Sequence, residues 1–531
     1  MLYIKNRQDC KKSVYPIILI CLILFISGCG DNSGNHSHDK MTMDAFSGLR
    51  TQEYVLNSQK IKSNIDRICR IETDTVFADK HTHDYYTNHG SPLWVTRYGV
   101  KRAADSLLTV LKTVEDSLGF TCRSFDVELI ENDMQRIRNL DFDNDGNSVN
   151  DVMARLEFRL TKAYLRYAVG QRFGFVNPHY IFNKLDAIKN DSTQRVLGYR
   201  RLFDIDIQRP DSNFFKHALN QISNDSISEF LHGIQPKNKL YTRLKNDLST
   251  AQSNQDNTSR MRILCNMERC RWRMSDRLDT SGKYIIVNIP AYHLYAYSNE
   301  SVLDMRIGCG SMKTKTPLLS SAIKWMEVNP VWNIPMSIIK NEVAPHAGDT
   351  SYFKRNNYYI VERKTGDRID INDMTPRRLR SGNYAVIQEG GDGNSLGRII
   401  FRFPNNFSVF LHDTSSRGVF NRDNRGVSHG CVRVQKPFEL ASFLLDNPDE
   451  WLLDKLRISM DIKPETDKGK RYVRNEDNNT RLIRSLTVNP NVPLLITYYT
   501  IYETPDGLLS TYPDVYGYDN MISRHIKPFM K

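Results

Sequence analysis

The sequence predicts an α+β protein, in which an all-helical N-terminal region precedes a mostly-β domain. Apolar residues recur at helical intervals between about residues 45 and 248, and strand-like patterns follow from Lys283 onward. The stretch 411–434 also places a histidine and a cysteine around one polar, glycine-bearing loop. With 531 residues, the chain is long enough for more than one domain, each with its own core.

The helical prediction depends on two periodic stretches. Residues 103–111 and 152–168 both carry apolar side chains three and four positions apart, the spacing of one helix face. A polar stretch at 249–260 marks a plausible boundary after these helices. No catalytic combination of residues occurs in this region, so its sequence predicts a structural role.

The second half of the chain changes to short strands separated by turn residues. Pro290 separates the first two strands, which predicts a hairpin-like pair. Residues 336–387 are rich in charge and tyrosine and lack early alternation, so we predict an inserted cap there. The predicted strands are 284–289, 293–297, 302–307 and 493–500.

Charge and cysteine usage narrow the class of protein. The formal net charge is +12, which favours an anionic partner such as an acidic lipid, a nucleic acid or a cell-wall polymer. No zinc finger, aromatic RNA-binding signature or dense basic tract is present, so the sequence does not predict nucleic-acid binding. The nine cysteines have no regular spacing, which indicates neither a disulfide scaffold nor a structural zinc site.

The N-terminus is typical of an export signal. Basic residues precede the apolar run 17–26, which is too short to span a bilayer comfortably and suits a signal-peptide core. The following Ile26-Ser27-Gly28-Cys29 resembles the bacterial lipobox, which implies cleavage before Cys29 and a lipid on its sulfur. A plain secretory signal and an uncleaved anchor are the alternatives.

The candidate reactive centre is the pair His412 and Cys431. His412 ends an apolar strand-like run, and Cys431 closes the tetrapeptide Ser428-His429-Gly430-Cys431. A cysteine attacks a carbonyl as its thiolate, and a nearby histidine can accept the thiol proton. Gly430 allows backbone amides to approach a reacting oxygen. The alternative is a buried small hydrophobe and an unrelated polar residue, but nothing in this polar loop calls for a buried cysteine.

The pattern of this stretch resembles a known family. A histidine, fifteen intervening residues, Ser-His-Gly-Cys, a hydrophobic residue and Arg433 are similar to the signature of the YkuD-type L,D-transpeptidase catalytic domain. Segments 393–397, 403–405 and 412–414 resemble the family's flanking segments. Segments around Trp94, 151–174 and 237–244 resemble the helical scaffold domain of the large Gram-negative members.

The resemblance implies a domain layout. We expect a helical scaffold domain followed by a catalytic domain that carries the inserted cap. The expected boundaries are 1–28 for a lipoprotein signal peptide, 29–44 for a flexible tether, 45–255 for the scaffold domain, 266–520 for the catalytic domain and 336–387 for the cap.

The resemblance also implies a reaction. Cys431 would attack a carbonyl of a tetrapeptide donor stem of peptidoglycan, with His412 as proton donor and acceptor and a backbone carbonyl orienting His412. The resulting thioester would be attacked by the side-chain amine of diaminopimelate on a second stem, giving a 3→3 cross-link. We expect a monomer, held by lipid at the periplasmic face of a bacterial membrane, that needs no cofactor.

Six further residues receive assignments around this pair. Arg433 would hold a substrate carboxylate or form a structural salt bridge. Amides near Gly430 and Cys431 would hold the oxyanion, while Ser428 and His429 would shape the loop. Trp332 and Tyr352 would line the substrate cleft or belong to the core.

Other functions are compatible with the same residues. Water as the acceptor would make the site a carboxypeptidase or endopeptidase, and a vestigial cysteine would leave a non-catalytic wall-binding lipoprotein. A zinc hydrolase using His412, Asp413, His429 and Cys431 fits no metal motif. No other metal site is predicted, because the calcium-like loop starting at Asp141 has valine where the bidentate glutamate belongs.

Overall fold

The computed structural model describes most of the chain after the N-terminal segment. The described residues are 53–72, 76–143, 145–190, 193–276, 278–299, 301–475 and 477–530. The predicted signal peptide, the tether and Cys29 lie outside them. Within these ranges, no helix combines the length and the apolar character that a membrane span requires.

Helices dominate the N-terminal region. The helices are α1 Ser58–Ile71, α2 Phe77–Thr87, α3 Ala103–Leu111, α4 Val114–Leu118, α5 Val127–Asn139, α6 Val149–Phe173, α7 Pro178–Phe182, α8 Ser212–Ser223, α9 Ile227–Gly233, α10 Lys239–Ser253 and α11 Asn257–Arg271. The region also contains short strands that helical periodicity did not predict: β1 Val95–Thr96, β2 Gly99–Val100, β3 Asp186–Lys189, β4 Val196–Arg200 and β5 Phe203–Asp204.

Helix α6 is the centre of this region. Ser148 caps its N-terminus by accepting a hydrogen bond from the Asp151 N–H, and Gly174 ends it with a positive φ of 98°. Its side chains are buried on nearly every face, because α1, α2 and α5 surround it. The buried Glu157 carboxylate accepts bonds from the Leu93, Trp94 and Val95 amides and thereby fixes the preceding loop.

The second half forms a large β-sheet and a smaller one. The strands are β6 Tyr284–Asn288, β7 His293–Tyr297, β8 Val302–Gly310, β9 Leu318–Val328, β10 Trp332–Asn333, β11 Tyr358–Glu362, β12 Arg368–Ile369, β13 Tyr384–Gln388, β14 Ile399–Arg402, β15 Leu411–His412, β16 Gly426–Ser428, β17 Val432–Val434, β18 Ser485–Thr497, β19 Ile501–Glu503 and β20 Leu509–Thr511. The fold class predicted from the sequence, helical region first and β-rich region second, is confirmed.

The large sheet has the order β14-β15-β17-β8-β7-β6-β18-β9-β5 and closes on itself, because β14 also pairs with β9. Its inner face is apolar and includes Ile285, Val287, Phe401, Leu411 and Val432. Closure leaves few free strand edges and fixes the positions of β14, β15 and β17, which carry the candidate site.

The helical region is built into this sheet. Strand β5 pairs in parallel with β9, with Phe203 opposite Leu318. One hydrophobic core therefore runs from α6 through α11 to the inner face of the sheet. The turn between α10 and α11 falls at residues 254–256, inside the polar stretch expected to be a boundary.

A separate small subdomain interrupts the large sheet between β9 and β14. It has a sheet in the order β10-β13-β11-β12 and the short helices α12 Met336–Ile338, α13 Thr350–Arg355 and α14 Pro376–Arg380. A core around Ile339, Phe353 and Ile360 holds it together independently of the main core. We call residues 332–388 the cap.

Four helices complete the chain. They are α15 Pro437–Leu444, α16 Glu450–Ser459, α17 Asp467–Arg474 and α18 Tyr518–Ile526. Helix α15 follows the strand after Cys431 and has Pro437 at its first position, where a missing N–H costs no hydrogen bond. After α18, Phe529 packs back onto the helical region against Phe120 and Phe175.

Candidate active site

Strand register brings the predicted histidine and cysteine to one face of the sheet. In the parallel pair β15–β17, Leu411 is opposite Val432 and His412 is opposite Arg433. The Val432 N–H donates to the Phe410 carbonyl, which continues the ladder by one residue. Because side chains alternate along strands, Cys431 and Arg433 lie on the same face as His412, opposite the buried Leu411 and Val432.

The backbone orients His412 as expected from the resemblance. Its Nδ1 bonds to the Asp413 carbonyl oxygen, so we assign the proton to Nδ1 and leave Nε2 as the acceptor. The Asp413 carboxylate is used elsewhere, because it accepts a bond from the Arg398 N–H and pairs with Arg417. Among the described residues, therefore, no carboxylate bonds to the His412 imidazole.

Burial keeps both partners neutral in the resting site. Burial lowers the pKa of His412 to about 3, and the nearby Arg433 guanidinium acts in the same direction. Burial also raises the pKa of the Cys431 thiol to about 11, against opposing effects of the Phe410 N–H, Arg402 and Arg433. The resting pair is therefore thiol and imidazole rather than thiolate and imidazolium.

The Cys431 thiol is not hydrogen-bonded to the His412 imidazole in this structure. Cys431 Sγ lies 3.9 Å from the Ser408 carbonyl oxygen, and within the described residues no hydrogen bond joins it to His412. Such contacts often tighten only when substrate is bound. The arrangement suits a nucleophile that is activated on substrate binding.

The loop before Cys431 is held by its own hydrogen bonds. Ser428 Oγ donates to the Cys431 carbonyl at 2.6 Å and accepts from the Gly430 N–H at 3.1 Å. Gly430 has a φ of +124°, which a residue with a side chain rarely adopts. Ser428 therefore shapes the loop, as predicted.

Besides Cys431, Gly430 carries the other amide expected to hold the oxyanion. Its N–H is already bonded to Ser428 Oγ and so is not available to a developing oxyanion. The Cys431 N–H has no acceptor among the described residues, which leaves it free for that purpose. Gly430 instead supplies the backbone angle that the loop requires.

We call residues 428–431 the catalytic loop. A second loop, residues 311–316, holds the catalytic loop in place through hydrogen bonds. The Ser311 N–H and Thr314 Oγ1 both donate to the Ser428 carbonyl, at 3.0 and 2.7 Å. Thr316 Oγ1 donates to the Gly430 carbonyl at 2.8 Å. We call residues 311–316 the support loop.

The Arg433 guanidinium is not paired with any carboxylate of the described residues. It forms no salt bridge within the described part of the chain, and its Nε is buried without a hydrogen-bond acceptor. Burial lowers the pKa of Arg433, while the neighbouring Cys431 opposes that effect. Of the two roles expected for Arg433, the structural salt bridge is absent from the described residues, and the position suits an anion from outside.

A pair of polar side chains, His429 and Glu342, joins the catalytic loop to the cap. His429 Nε2 and Glu342 Oε1 are 2.7 Å apart, and both side chains are about half exposed. Burial, and next the Glu342 carboxylate, raise the pKa of Tyr352, and the Tyr352 ring stacks on His346 within the cap. Trp332 lies on β10 and packs against the cap core. The substrate-binding roles of Trp332 and Tyr352 stay predictions.

Two family matches agree with this architecture. Residues 80–248 match the family described as Scaffold domain, and residues 282–482 match YkuD, described as the L,D-transpeptidase catalytic domain. The chain therefore contains a YkuD-type L,D-transpeptidase catalytic domain after a Scaffold domain. The Scaffold match covers most of the N-terminal helices, and the YkuD match contains His412, Cys431 and the cap.

A curated relative supports the same assignment. A Haemophilus influenzae protein named Putative L,D-transpeptidase is 28% identical over 320 residues. The match covers 60% of this chain and 60% of the relative. The chain thus aligns with about three fifths of the relative's length.

The donor set for the zinc alternative is not assembled. His412 bonds to a carbonyl, the Asp413 carboxylate pairs with Arg417, and His429 contacts Glu342. In the residues that the structure describes, no group of three histidine, cysteine or carboxylate side chains is arranged to hold a metal ion. The geometry therefore does not support a four-ligand site there.

Sequence reasoning missed several residues around the site. Lys315 of the support loop pairs with Asp186 of β3, and Tyr516 donates to the Gly310 carbonyl at 2.7 Å. Glu342 lies in a charged segment without any pattern that marks it. Thr316 and Tyr516 did have a signal, because Thr316-Pro317 and the segment 514–519 are similar to family segments.

Proposed function

We propose that this protein forms 3→3 cross-links between peptidoglycan stem peptides through a thioester on Cys431. The supporting observation is the sheet face that places Cys431, His412 and the unpaired Arg433 side by side. The catalytic-domain match supports the reaction class, and the site geometry supports the assignment of roles.

The first half-reaction begins when a tetrapeptide donor stem enters the cleft between the cap and the catalytic loop. Arg433 pairs with a substrate carboxylate, which brings the carbonyl to the sulfur. The thiol proton moves to Nε2 of His412 as the sulfur attacks the carbonyl carbon. The Cys431 N–H stabilises the oxyanion. When the C–N bond breaks, the imidazolium returns the proton to the departing D-alanine amine.

The second half-reaction transfers the acyl group to an amine. The side-chain amine of a diaminopimelate residue on another stem attacks the thioester carbonyl, and His412 accepts one of its protons. The C–S bond breaks, and the sulfur leaves as a thiolate that recovers its proton from His412. The product is an amide between two stems.

The test uses the purified chain with disaccharide-tetrapeptide muropeptides and mass spectrometry. We expect a cross-linked dimer that has lost D-alanine, and an acyl adduct on Cys431. Cys431→Ala should abolish both. Cys122→Ala is the matched control, because Cys122 is also a partly exposed free cysteine but lies in the helical region.

Other products would give other answers. Tripeptide without dimer would show that water is the acceptor, which is the carboxypeptidase alternative. Absence of both product and adduct from a folded protein would contradict the proposal and favour a wall-binding lipoprotein.

We also propose that the protein is lipid-anchored at the periplasmic face of a bacterial membrane. The support is the lipobox-like sequence that ends in Cys29, after a short apolar run. Metabolic labelling with a fatty acid should mark the wild-type chain and leave Cys29→Ala unlabelled. Equal labelling of both would contradict attachment at this residue.

A further inference from the structure

The outer face of the sheet carries an accessible ion pair next to the nucleophile. Glu327 of β9 is opposite Ile400 of β14, which is opposite His412. Two residues further along β14, Arg402 is opposite Trp325 of β9. On the other side of β14, the antiparallel register brings Arg402 opposite Phe410, and Phe410 is in turn beside Cys431. Adjacent strands are about 4.8 Å apart, so Arg402 starts roughly 10 Å from Cys431.

The pair has a fixed geometry. Arg402 Nε and Nη2 donate to the two oxygens of Glu327 at 3.1 and 3.0 Å. The guanidinium also lies 4.9 Å from the centre of the Phe410 ring, and the Trp325 Nε1–H donates to Glu327 at 3.2 Å. These contacts orient both charges before any ligand arrives.

Both charges remain open to a ligand. The side chains of Glu327 and Arg402 are each 33% exposed. The Arg402 charge also partly opposes the burial that raises the pKa of the Cys431 thiol, so the guanidinium is close enough to influence the reacting sulfur. A ligand group bound here would belong to the same substrate as the carbonyl under attack.

We infer that Glu327 and Arg402 recognise a donor side chain that ends in both an ammonium and a carboxylate. The pair has no net charge, so it offers little to a simple anion or cation, but each half matches one charge of a zwitterionic group. Diaminopimelate has such an end, several atoms beyond the carbonyl that Cys431 attacks. Lysine at the same stem position offers the ammonium alone.

This inference rests on the proposed function, because it assigns the donor specificity of the Cys431 site. A ligand carboxylate would bond to Arg402, and the adjoining ammonium would bond to Glu327. The side chain would cross Phe410 on its way, since Phe410 lies between Arg402 and Cys431. Donor stems with diaminopimelate would therefore be selected over stems with lysine.

The test compares two tetrapeptide donors that differ only in diaminopimelate or lysine at the third position. Acylation of Cys431 in the full chain is followed by mass spectrometry, and the ratio of the two acylation efficiencies is the readout. We expect the wild type to prefer diaminopimelate, and Glu327→Gln and Arg402→Gln to reduce the ratio about tenfold, mainly through KM.

Neither altered thiol reactivity nor misfolding should complicate this test. Any change in thiol reactivity caused by Arg402→Gln affects both donors equally and cancels. An exposed ion pair contributes little to folding, so both variants should remain folded. Asp105→Asn is the matched control, since it breaks an exposed arginine–carboxylate pair with Arg138 in the helical region and should leave the ratio unchanged.

The outcomes separate the two proposals. Normal acylation with a ratio that Glu327→Gln does not change, or a wild type without donor preference, overturns this inference alone. Failure of the wild-type chain to be acylated by either donor overturns the proposed function, and this inference with it.

Discussion

At the residue scale, burial decides the protonation states of Cys431 and His412 before substrate binds. Cys431 and His412 share a sheet face, yet both are neutral because ionisation in this environment is unfavourable. A neutral thiol is a poor target for oxidants, so burial also protects Cys431 from oxidation. Activation then depends on the substrate, whose carboxylate would neutralise Arg433 and remove one cause of the low pKa of His412.

The raised pKa of Cys431 gives a direct prediction. Alkylation by iodoacetamide requires the thiolate, so its rate on Cys431 should rise about tenfold per pH unit from pH 7 to 10 and level off near pH 11. Peptide mass spectrometry of the Cys431 peptide measures this rate. A plateau at or below pH 7 would show a preformed thiolate and contradict the neutral resting pair.

The lowered pKa of His412 predicts a loss of stability in acid. Above pH 6.5 neither state binds a proton at this site; between pH 6.5 and about 3 only the unfolded state does, so stability falls as pH falls. The slope from this one group approaches about 1.4 kcal/mol per pH unit. His412→Gln, whose amide can still donate to the Asp413 carbonyl, should make the slope shallower.

Denaturant titrations at pH 7, 6, 5 and 4 measure that slope. His525→Gln replaces an exposed histidine of α18 and is the matched control. Equal slopes for the wild type and His412→Gln would show that His412 is protonated in the folded protein over this range.

At the element scale, the catalytic loop is positioned by parts of the chain that are distant in sequence. The β3–β4 hairpin of the helical region contacts the support loop, where Lys315 Nζ bonds to Asp186 at 2.7 Å and Arg200 donates to the Lys313 carbonyl. The neighbouring Thr314 and Thr316 hold Ser428 and Gly430. The hairpin therefore acts on the nucleophile through the support loop.

This connection predicts an effect of the hairpin on catalysis. Lys315 is 9% exposed, so Asp186→Asn leaves a largely buried ammonium without its carboxylate and should cost about 1–3 kcal/mol of stability. The support loop then loses an ion pair that holds it in position. We therefore expect kcat for cross-linking to fall about three- to tenfold, with KM less affected. Asp186→Glu should restore most of the activity.

Two comparisons make this prediction specific. Glu131→Gln breaks the exposed Lys112–Glu131 pair elsewhere in the helical region and should change neither kcat nor stability appreciably. If Asp186→Asn lowers the melting temperature but leaves kcat unchanged, then the hairpin has only a structural role.

Sequence patterns predicted the elements with local signals and missed those that depend on distant partners. The motif around Cys431 and the alternation in β6 to β8 are local, and both led to the correct elements. Strand β5 has two residues and exists because β9 lies beside it. Glu327 and Arg402 are 75 positions apart and meet only through the β9–β14 register, which no sequence pattern specifies.

At the scale of the whole molecule, the helical region and the β-rich region form one folded body. One hydrophobic core includes Leu160 of α6, Cys265 of α11 and Val287 of β6. Buried polar contacts cross the same boundary: Asn266 of α11 bonds to Thr500, and Arg269 pairs with Asp519 at 2.6 Å. Separation of the regions would expose apolar surface and unpair buried charges, so the helical region is needed for the stability of the sheet.

Phe529, near the C-terminus, allows a test of whether the helical and β-rich regions unfold together. Phe529 follows the last helix of the β-rich half but is buried against Phe120, Phe125 and Phe175 of the helical region, and the Thr121 N–H donates to its carbonyl. Phe529→Ala should cost about 3–5 kcal/mol. Calorimetry should show one transition for the wild type and one transition, at lower temperature, for the variant, because both regions unfold together. Lys527→Ala, at an exposed neighbour, should leave the transition in place. A variant with two transitions, of which only the lower one has moved, would show that the regions unfold independently.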